Sequence, residues 1–402
     1  MNMEHVWGAV IAGGQGTRLF PISHTDRPKQ FCRLDDKHTF IQAAIENLAA
    51  IGIKRTQIVV VTTSDNQTKL AHQQTLPHGI LSQNICQVSP SYGYAGAMVK
   101  IADFIYELDR RSIIVNTPAD QYLVADGKFQ DTVNRAINEI DFGCQTNGAS
   151  RGVIVGVKIN DLVTAMGCGH AIYDASVGYK DCYPVLSFVE KPSKEVADRI
   201  MRQGNSACNT GINVWSSRRL LEAVPLDKAK GLSTDGLMEA LGAVSVSVGT
   251  FEWRDCGTLK SLYEISKKTP NHKNASLGEG TFQRIECRRS LLYSADGMEL
   301  RVTGAEDDAV IFTTINERPI VVVAKLDESQ RIKALAEDYL LHETFLTDDF
   351  SVGARNNTVL RSNVSDELIV GFVGVENYAV YVYRRPDGMM EAAVSQQLGL
   401  ST

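Results

Sequence analysis

Short apolar runs and amphipathic stretches take turns along the first two thirds of the chain. Trp7–Ile11 is a brief apolar run. Phe40–Ile51 then carries Phe40, Ile41, Ala44, Ile45 and Leu48 at helical spacing, and Gly52 stops it. Gln57–Thr62 (QIVVVT) is a β-branched run of the kind buried on both faces of a parallel sheet. The rhythm continues through helical Gln67–Leu76, strand Ile85–Val88, helical Ala95–Leu108, strand Ser112–Thr117, helical Lys128–Phe142 and strand Gly152–Val157. Tyr183–Val189, Cys208–Trp215, Val244–Val248 and Phe251–Trp253 read as further strands, and Ser217–Val224, Ser233–Leu241 and Leu259–Lys268 as further helices. Such alternation predicts an α/β fold with a doubly wound, mostly parallel, Rossmann-like sheet.

The texture changes near Pro270, where short strands and charged turns replace the long alternation. Pro270–Asn274 reads as a linker, giving domains at 1–268 and 275–402, the second smaller and β-rich. Within the second domain a faint repeat is visible. SLLYSADGMELRVTGAEDDAVIFT from Ser290 lines up with TVLRSNVSDELIVGFVGVENYAVYVY from Thr358, and Gly304 with Gly374 and Glu306 with Glu376 match at a separation of 70. The two related units run over about 288–325 and 356–394, with a charged helix, Asp327–Tyr339, between them.

Composition narrows the function classes. With 402 residues, 44% hydrophobic and 22% charged, the chain has the make-up of a two-domain globular protein. A net charge of −6 argues against a nucleic-acid partner, which calls for a basic face. No apolar run approaches the ~20 residues that span a bilayer. The eight cysteines are scattered without CxxC or a cysteine-histidine cluster, so buried reduced thiols are expected rather than disulfides or structural zinc. No basic region precedes an apolar core at the amino terminus, so the expected location is the cytoplasm.

The candidate chemistry begins where the first strand ends. VIAGGQGTRLFPISHTDRPKQF, Val10–Phe31, places Gly13, Gly14 and Gly16 directly after an apolar run. Lacking β-carbons, they can adopt positive φ and bring amide N–H groups against a polyphosphate. Arg18 adds a planar charged fork and Lys29 a second cation. The spacing matches neither GxxxxGK[ST] nor GxGxxG, and Pro21 and Pro28 oppose an immediate helix, so an irregular, wrapping loop is expected. On these residues alone, a tight turn and a phosphate loop are equally good readings. In a doubly wound sheet, ligands bind at the carboxyl ends of strands, which is where the first strand delivers Gly13–Arg18 and the fourth delivers Asp120.

The whole string, GG-x-GTRL followed by PKQF, resembles the signature of the sugar-1-phosphate nucleotidyltransferases, and PKQF most resembles the mannose-1-phosphate guanylyltransferase branch. The resemblance covers about residues 5–268, and Glu306–Leu335 resembles the branch's carboxyl-terminal segment. It implies that Ala12, Gly13, Gly14, Gly16, Thr17, Arg18 and Lys29 bind the nucleotide. Arg18 would face the β- and γ-phosphates and Lys29 the α-phosphate. PADQ and W-x-D-x-G-T resemble the motifs that supply Asp120 and Asp255 as Mg²⁺ ligands, so Arg18, Lys29, Asp120 and Asp255 form the implied catalytic set. By position alone, Asp120 reads first as a cap of the turn that follows its strand, and Asp255 as a turn residue before Gly257.

On the acceptor side, VEKP implies that Glu190 contacts sugar hydroxyls and Lys191 the sugar phosphate. Asn209 in NTG would bond the sugar, with Gly211 giving it room, and Asp235 in STDGLMEAL would contact the sugar too. A buried Asn satisfied by backbone is the competing reading of Asn209. Ser89–Ala97 departs from the Arg-Asn-Thr-Ala-Pro-Ala run of the mannose branch, in the region that helps recognise the base. The expected reaction is GTP plus mannose 1-phosphate giving GDP-mannose and pyrophosphate, in a homo-oligomer joined through the carboxyl-terminal domain. Another sugar 1-phosphate with UTP, dTTP or CTP stays open, as does a non-catalytic regulatory paralogue that binds a nucleotide sugar.

Overall fold

The computed structural model describes residues 3–342 apart from 15, 147–149, 178–180, 296 and 316–317, and then 357–361, 369–373, 378–384 and 390–396. By internal contacts the chain divides into an α/β unit, Met1–Gly13 with Ile41–Arg254, and a β unit, Gly14–Phe40 with Asp255–Thr402. This division cuts the chain at different places from the sequence boundary at 268/275.

The α/β unit holds strands β1 (Val6–Ile11), β2 (Ile58–Thr62), β3 (Ile85–Gln87), β4 (Ile113–Pro118), β5 (Gln121–Leu123), β6 (Gly152–Val157), β7 (His170–Tyr173), β8 (Cys182–Val189), β9 (Ser206–Ser216) and β10 (Val244–Gly249). Nine of them form one sheet in the order β3-β2-β1-β4-β9-β6-β10-β8-β7. β3, β2, β1 and β4 are mutually parallel, as are β6 and β10. β9, the strand read as Cys208–Trp215, runs antiparallel to both β4 and β6, which makes the sheet mixed at its centre. Its direction is decided by its pairing partners, and nothing in a strand's own alternation encodes that.

The helices follow the predicted alternation. They are α1 (Phe40–Ala50), α2 (Asp65–Thr75), α3 (Gly93–Leu108), α4 (Gly127–Thr146), α5 (Leu162–Gly167), α6 (Lys194–Gln203), α7 (Ser217–Ala223), α8 (Leu226–Ala229) and α9 (Thr234–Leu241). Sequence reasoning passed over α5 and β7, which are short, and α6, although Ala197 and Ile200 form a buried stripe on a mostly polar helix capped by Ser193. The core packs Val59, Val61, Ile114 and Ile154 of the sheet against Met98, Ile101 and Ile105 of α3 and fully buried Trp215 of β9. Every residue of β2 and β6 is buried, which is why both read as unbroken apolar runs.

The β unit continues with β11 (Trp253–Asp255, at the boundary), α10 (Leu259–Ile265), β12 (Ala275–Leu277), β13 (Thr281–Ile285), β14 (Leu291–Ser294), β15 (Met298–Thr303), β16 (Asp308–Ile315), β17 (Arg318–Lys325), α11 (Ser329–His342), β18 (Asn357–Arg361), β19 (Ile369–Val373), β20 (Tyr378–Arg384) and β21 (Met390–Gln396). β12-β14-β16 and β13-β15-β21 are parallel stacks. The predicted linker is no loose tether: Asn274 is buried, donates from Nδ2 to Cys287 O (2.7 Å) and accepts from Ser290 N–H (3.1 Å).

The internal repeat has a structural counterpart. β15, β16 and β17 recur about seventy residues on as β19, β20 and β21, and β16/β17 and β20/β21 are antiparallel hairpins. The two copies exchange strands: β17 pairs in parallel with β19, and β21 in parallel with β15. Gly374 and Glu376, which matched Gly304 and Glu306 in sequence, lie outside the described residues.

Candidate active site

In the α/β unit, backbone bonds bring the sheet's strand ends together. Ala12 N–H donates to Val61 O (2.8 Å) and Ala119 N–H to Ile11 O (3.0 Å), so Gly13 and Asp120 leave neighbouring strands at the carboxyl edge. Ala12 is buried and Asp120 exposed. Among the three glycines of the loop, Gly14 (φ 95°) and Gly16 (φ 68°) take the left-handed region, whereas Gly13 does not. A β-carbon on Gly13 would instead meet Thr63 Cγ2 at 3.1 Å, so close approach rather than φ favours glycine there.

The acceptor-side residues cluster around a kink in β9. Gly211 has φ 75°, and a β-carbon there would lie 2.7 Å from Pro118 Cγ at the end of β4. Asn209 Oδ1 accepts from Gly211 N–H (2.9 Å), and Asn209 N–H donates to Gly169 O (2.7 Å). Half of the backbone-satisfied reading therefore holds: the carboxamide oxygen is committed, and Nδ2 is the end left to donate to a ligand. Glu190 reaches the same place, because a β-carbon on Gly169 would run into Glu190 Oε2. Lys191 Nζ lies 3.6 Å from Glu190 Oε1, both side chains are solvent-accessible, and Lys191 has φ 40°. Asp235 is on α9, with its side chain outside the described residues.

A buried polar network that motif reading missed supports this kink. Trp215 Nε1 donates to Asn116 Oδ1 (2.6 Å), and Asn116 Nδ2 donates to Gly211 O (2.9 Å). Asn213 Nδ2 donates to Gly211 O (3.1 Å) and Tyr94 Oη (3.0 Å). Burial pushes the Tyr94 phenol up to about 12, so it stays protonated. The signal for this network is an Asn in a run of apolar strand residues, where a polar side chain needs partners.

Expected reduced thiols are corrected at one pair: Cys168 and Cys208 are joined as a disulfide, with Cα atoms 6.0 Å apart. Forty residues of sequence separate them, but the β7–β9 pairing sets His170 opposite Cys208 and brings Cys168 alongside. Each cysteine precedes a residue of the acceptor cluster, Gly169 or Asn209. Cys32, Cys86, Cys182, Cys256 and Cys287 are outside any disulfide, and all but half-buried Cys86 are buried.

In the β unit, the cations and the second aspartate of the implied set do come together. The segment Gly14–Phe40 is irregular apart from 3₁₀ turns at Thr17–Leu19 and Lys29–Phe31, as its prolines predict. A β-carbon on Gly16 would fall 2.5 Å from Lys29 Cβ, and Ser23 Oγ donates to Gly16 O, so the two ends of the loop close on each other. Lys29 is only 4% exposed, stands 5.3 Å from the Phe40 ring centroid, and has its Nζ 3.9 Å from Asp255 Oδ1. Arg18 lies over Gly257, where a β-carbon would be 2.8 Å from an Nη atom. The glycine of W-x-D-x-G-T thus makes room for the arginine of GTRL. Arg18 and Asp255 are both solvent-accessible at this point.

Among the described residues no group of three or more His, Cys, Asp and Glu side chains could hold a metal by itself. The two carboxylates that the motifs imply, Asp120 and Asp255, are oxygen donors of the kind Mg²⁺ takes alongside water and phosphate oxygens.

The segment that departs from the mannose pattern exposes Ser89, Pro90, Ser91 and Gly93 and turns its tyrosines to the protein. Tyr94 joins the buried network, and the Tyr92 ring takes Lys230 Nζ at 5.0 Å and Lys100 Nζ at 5.9 Å.

Comparison with known proteins gives one family. The family model described as "Nucleotidyl transferase" matches residues 7–272. A mannose-1-phosphate guanylyltransferase of Sinorhizobium fredii is 24% identical over 366 residues, covering 82% of this chain and 68% of that protein. The alginate biosynthesis protein AlgA of Pseudomonas aeruginosa is 24% identical over 364 residues, covering 82% and 71%. A crystal structure from Thermus thermophilus, described as a mannose-1-phosphate geranyltransferase, superposes with a TM-score of 0.64 at 21% identity, covering 84% of this chain and 99% of that one.

Proposed function

Since the chain belongs to the nucleotidyl transferase family, we propose that it transfers a nucleotidyl group from GTP to mannose 1-phosphate, releasing pyrophosphate and forming GDP-mannose. The observation that carries this reading is the grouping of Arg18, Lys29 and Asp255 on one loop system, with Gly257 cleared for the guanidinium. A phosphate oxygen of the sugar phosphate attacks the α-phosphorus, and the bond to the pyrophosphate oxygen breaks in line. Such a reaction needs charge neutralisation and placement more than covalent help. Arg18 meets the charge that gathers on the departing β- and γ-phosphates, and buried Lys29 meets the α-phosphate. Lys191, Glu190 and the Nδ2 of Asn209 hold the acceptor. Asp120 and Asp255 would hold Mg²⁺, which supplies further positive charge to the phosphates when bound.

A second reading keeps the chemistry with UTP, dTTP or CTP, and it is favoured by Ser89–Ala97, whose Tyr94 is committed to the interior. The test is a matrix of four nucleoside triphosphates against several sugar 1-phosphates, scored for pyrophosphate. GTP with mannose 1-phosphate is expected to be fastest. Turnover only with another base moves the assignment to that base. No turnover with any pair, alongside binding of a nucleotide sugar, makes the protein a regulatory paralogue. The same reading places the protein in nucleotide-sugar supply for polysaccharide synthesis, in the cytoplasm, as a homo-oligomer joined through its β unit. Among the described residues no helix is long and apolar enough to cross a membrane.

A further inference from the structure

The cations of the phosphate loop are tied to the carboxyl-terminal strands through a residue that no motif assigns. Arg27 closes a tight turn in which His24 and Arg27 exchange N–H···O bonds, both at 3.1 Å. Its guanidinium donates to Thr313 Oγ1 of β16 (3.1 Å) and stands over the Tyr293 ring of β14, 5.8 Å from the centroid. Thr313 and Tyr293 are both buried. Six residues on, Arg33 Nε donates to Glu279 Oε1 (2.7 Å), a second tie between the same loop and the β unit's strand region. α11 packs against the Thr17–Leu19 turn that carries Arg18.

The spacing of these contacts matters. Arg27 is two residues before Lys29, and Lys29 Cβ sits where a side chain on Gly16 would be. A shift of the His24–Arg27 turn therefore moves Lys29, and through the contact with Gly16 it moves the start of the turn bearing Arg18. Arg27 Nε is buried without a hydrogen-bond partner, so the guanidinium is desolvated for one hydroxyl, the Cys32 thiol, an aromatic face and the field of Glu279. Taking a cation out of water for so few partners is a poor way to gain stability, and it is a direct way to fix a loop.

Resting on the nucleotidyl-transfer reading, we propose that Arg27 is a positioning residue for the triphosphate: it locks Gly14–Phe40 to β14 and β16 so that Arg18 and Lys29 hold their spacing. The carboxyl-terminal strands are on this account a working part of the nucleotide site, although the family match ends at residue 272.

The test compares the full-length wild type with Arg27→Met, Arg27→Lys and Thr313→Val. The readouts are calorimetric binding of GTP alone, kcat, KM for each substrate and melting temperature. Arg27→Met is expected to weaken GTP binding and lower kcat/KM for the triphosphate by at least about tenfold, on the scale of a loop displaced by about an ångström. KM for the sugar phosphate stays within about twofold, Arg27→Lys recovers part of the loss, and Thr313→Val loses about threefold as a single hydrogen bond is removed. If Arg27→Met fails to fold, Thr313→Val alone decides. Unchanged GTP binding and kinetics in a folded variant overturn the proposal, as does a loss shared equally by both substrates. A wild type that binds GTP but releases no pyrophosphate in any combination overturns the reaction and leaves the Arg27 comparison of GTP binding intact.

Discussion

The two units hold their reactive groups by different means. In the α/β unit, Asp120 and Asn209 hang from strands whose backbone is fixed by the sheet and by main-chain bonds such as Ala119 N–H to Ile11 O. In the β unit, Arg18 and Lys29 ride on a segment with no ladder of its own, lashed by Ser23 to Gly16 O, Gln30 to Gly14 O and Arg27 to Thr313. Backbone ladders are indifferent to most side-chain changes, whereas side-chain lashings are lost with one substitution. Mutations remote from the phosphates should therefore be felt through the β unit more than through the α/β unit.

The largest expected effect is common to both units and bounds the comparison. Asp120→Ala and Asp255→Ala should each lower Mg²⁺-dependent pyrophosphate release by about a thousandfold or more, with melting temperatures close to wild type because both carboxylates are exposed. Full turnover in either variant removes that carboxylate from the mechanism.

The next pair breaks the comparison most directly. Gly16→Ala forces a β-carbon to 2.5 Å from Lys29 Cβ at a positive φ and is expected to cost about a hundredfold in kcat/KM for the triphosphate. Gly13→Ala meets only a threonine methyl at 3.1 Å without a positive φ and should cost about tenfold or less. Equal losses measured by steady-state kinetics would put the two glycines on the same footing and end the distinction.

Asn116→Leu sharpens it from the other side. The variant leaves Trp215 Nε1 and Gly211 O without Asn116, lowering stability by ~2 kcal/mol and raising KM for the sugar phosphate about tenfold. KM for the triphosphate should not move. Denaturant melts together with both KM values check this, and a raised triphosphate KM would contradict it.

The last prediction concerns stability alone, as a pH profile. Burial, with Arg27 alongside, pushes the His24 imidazole down to about 4 from 6.5. The unfolded chain therefore binds a proton below pH 6.5 that the folded chain refuses until about pH 4. This contribution is complete above the unfolded value and is lost as pH falls through the folded one, by on the order of 3 kcal/mol. Urea melts of wild type and His24→Gln, run from neutral pH down to the folded value, should converge if His24 is the source, and parallel curves would exclude it.

Much of the α/β unit was legible because β2 and β6 are buried on both faces and α1 and α3 each bury one side, which leaves periodicities of two recognisable kinds. The direction of β9 was not, since antiparallel and parallel neighbours bury the same side chains. The Arg18, Lys29 and Asp255 grouping was legible only through the motif resemblance: by spacing, Asp255 is a turn residue before a glycine. The attachment of Gly14–Phe40 to the carboxyl-terminal strands left no trace in sequence. It depends on Arg27 finding Thr313 and Tyr293, far along the chain, and such a contact carries no periodicity. The Cys168–Cys208 pair was hidden likewise, because only the β7–β9 register brings the two together.

The strand exchange between the two copies of the β unit has a consequence for synthesis. β15 is sealed along its far side by β21, whose first residue is Met390, so the seam between Met298 and Met390 cannot close until the ribosome has made the chain through β21. Long-range pairings of that sort are slow to form. Until then the loop that carries Arg18 and Lys29 is lashed, through Arg27 and Thr313, to a unit whose β15 edge has yet to be sealed, and a premature stop codon ahead of Met390 would deny it that seal altogether.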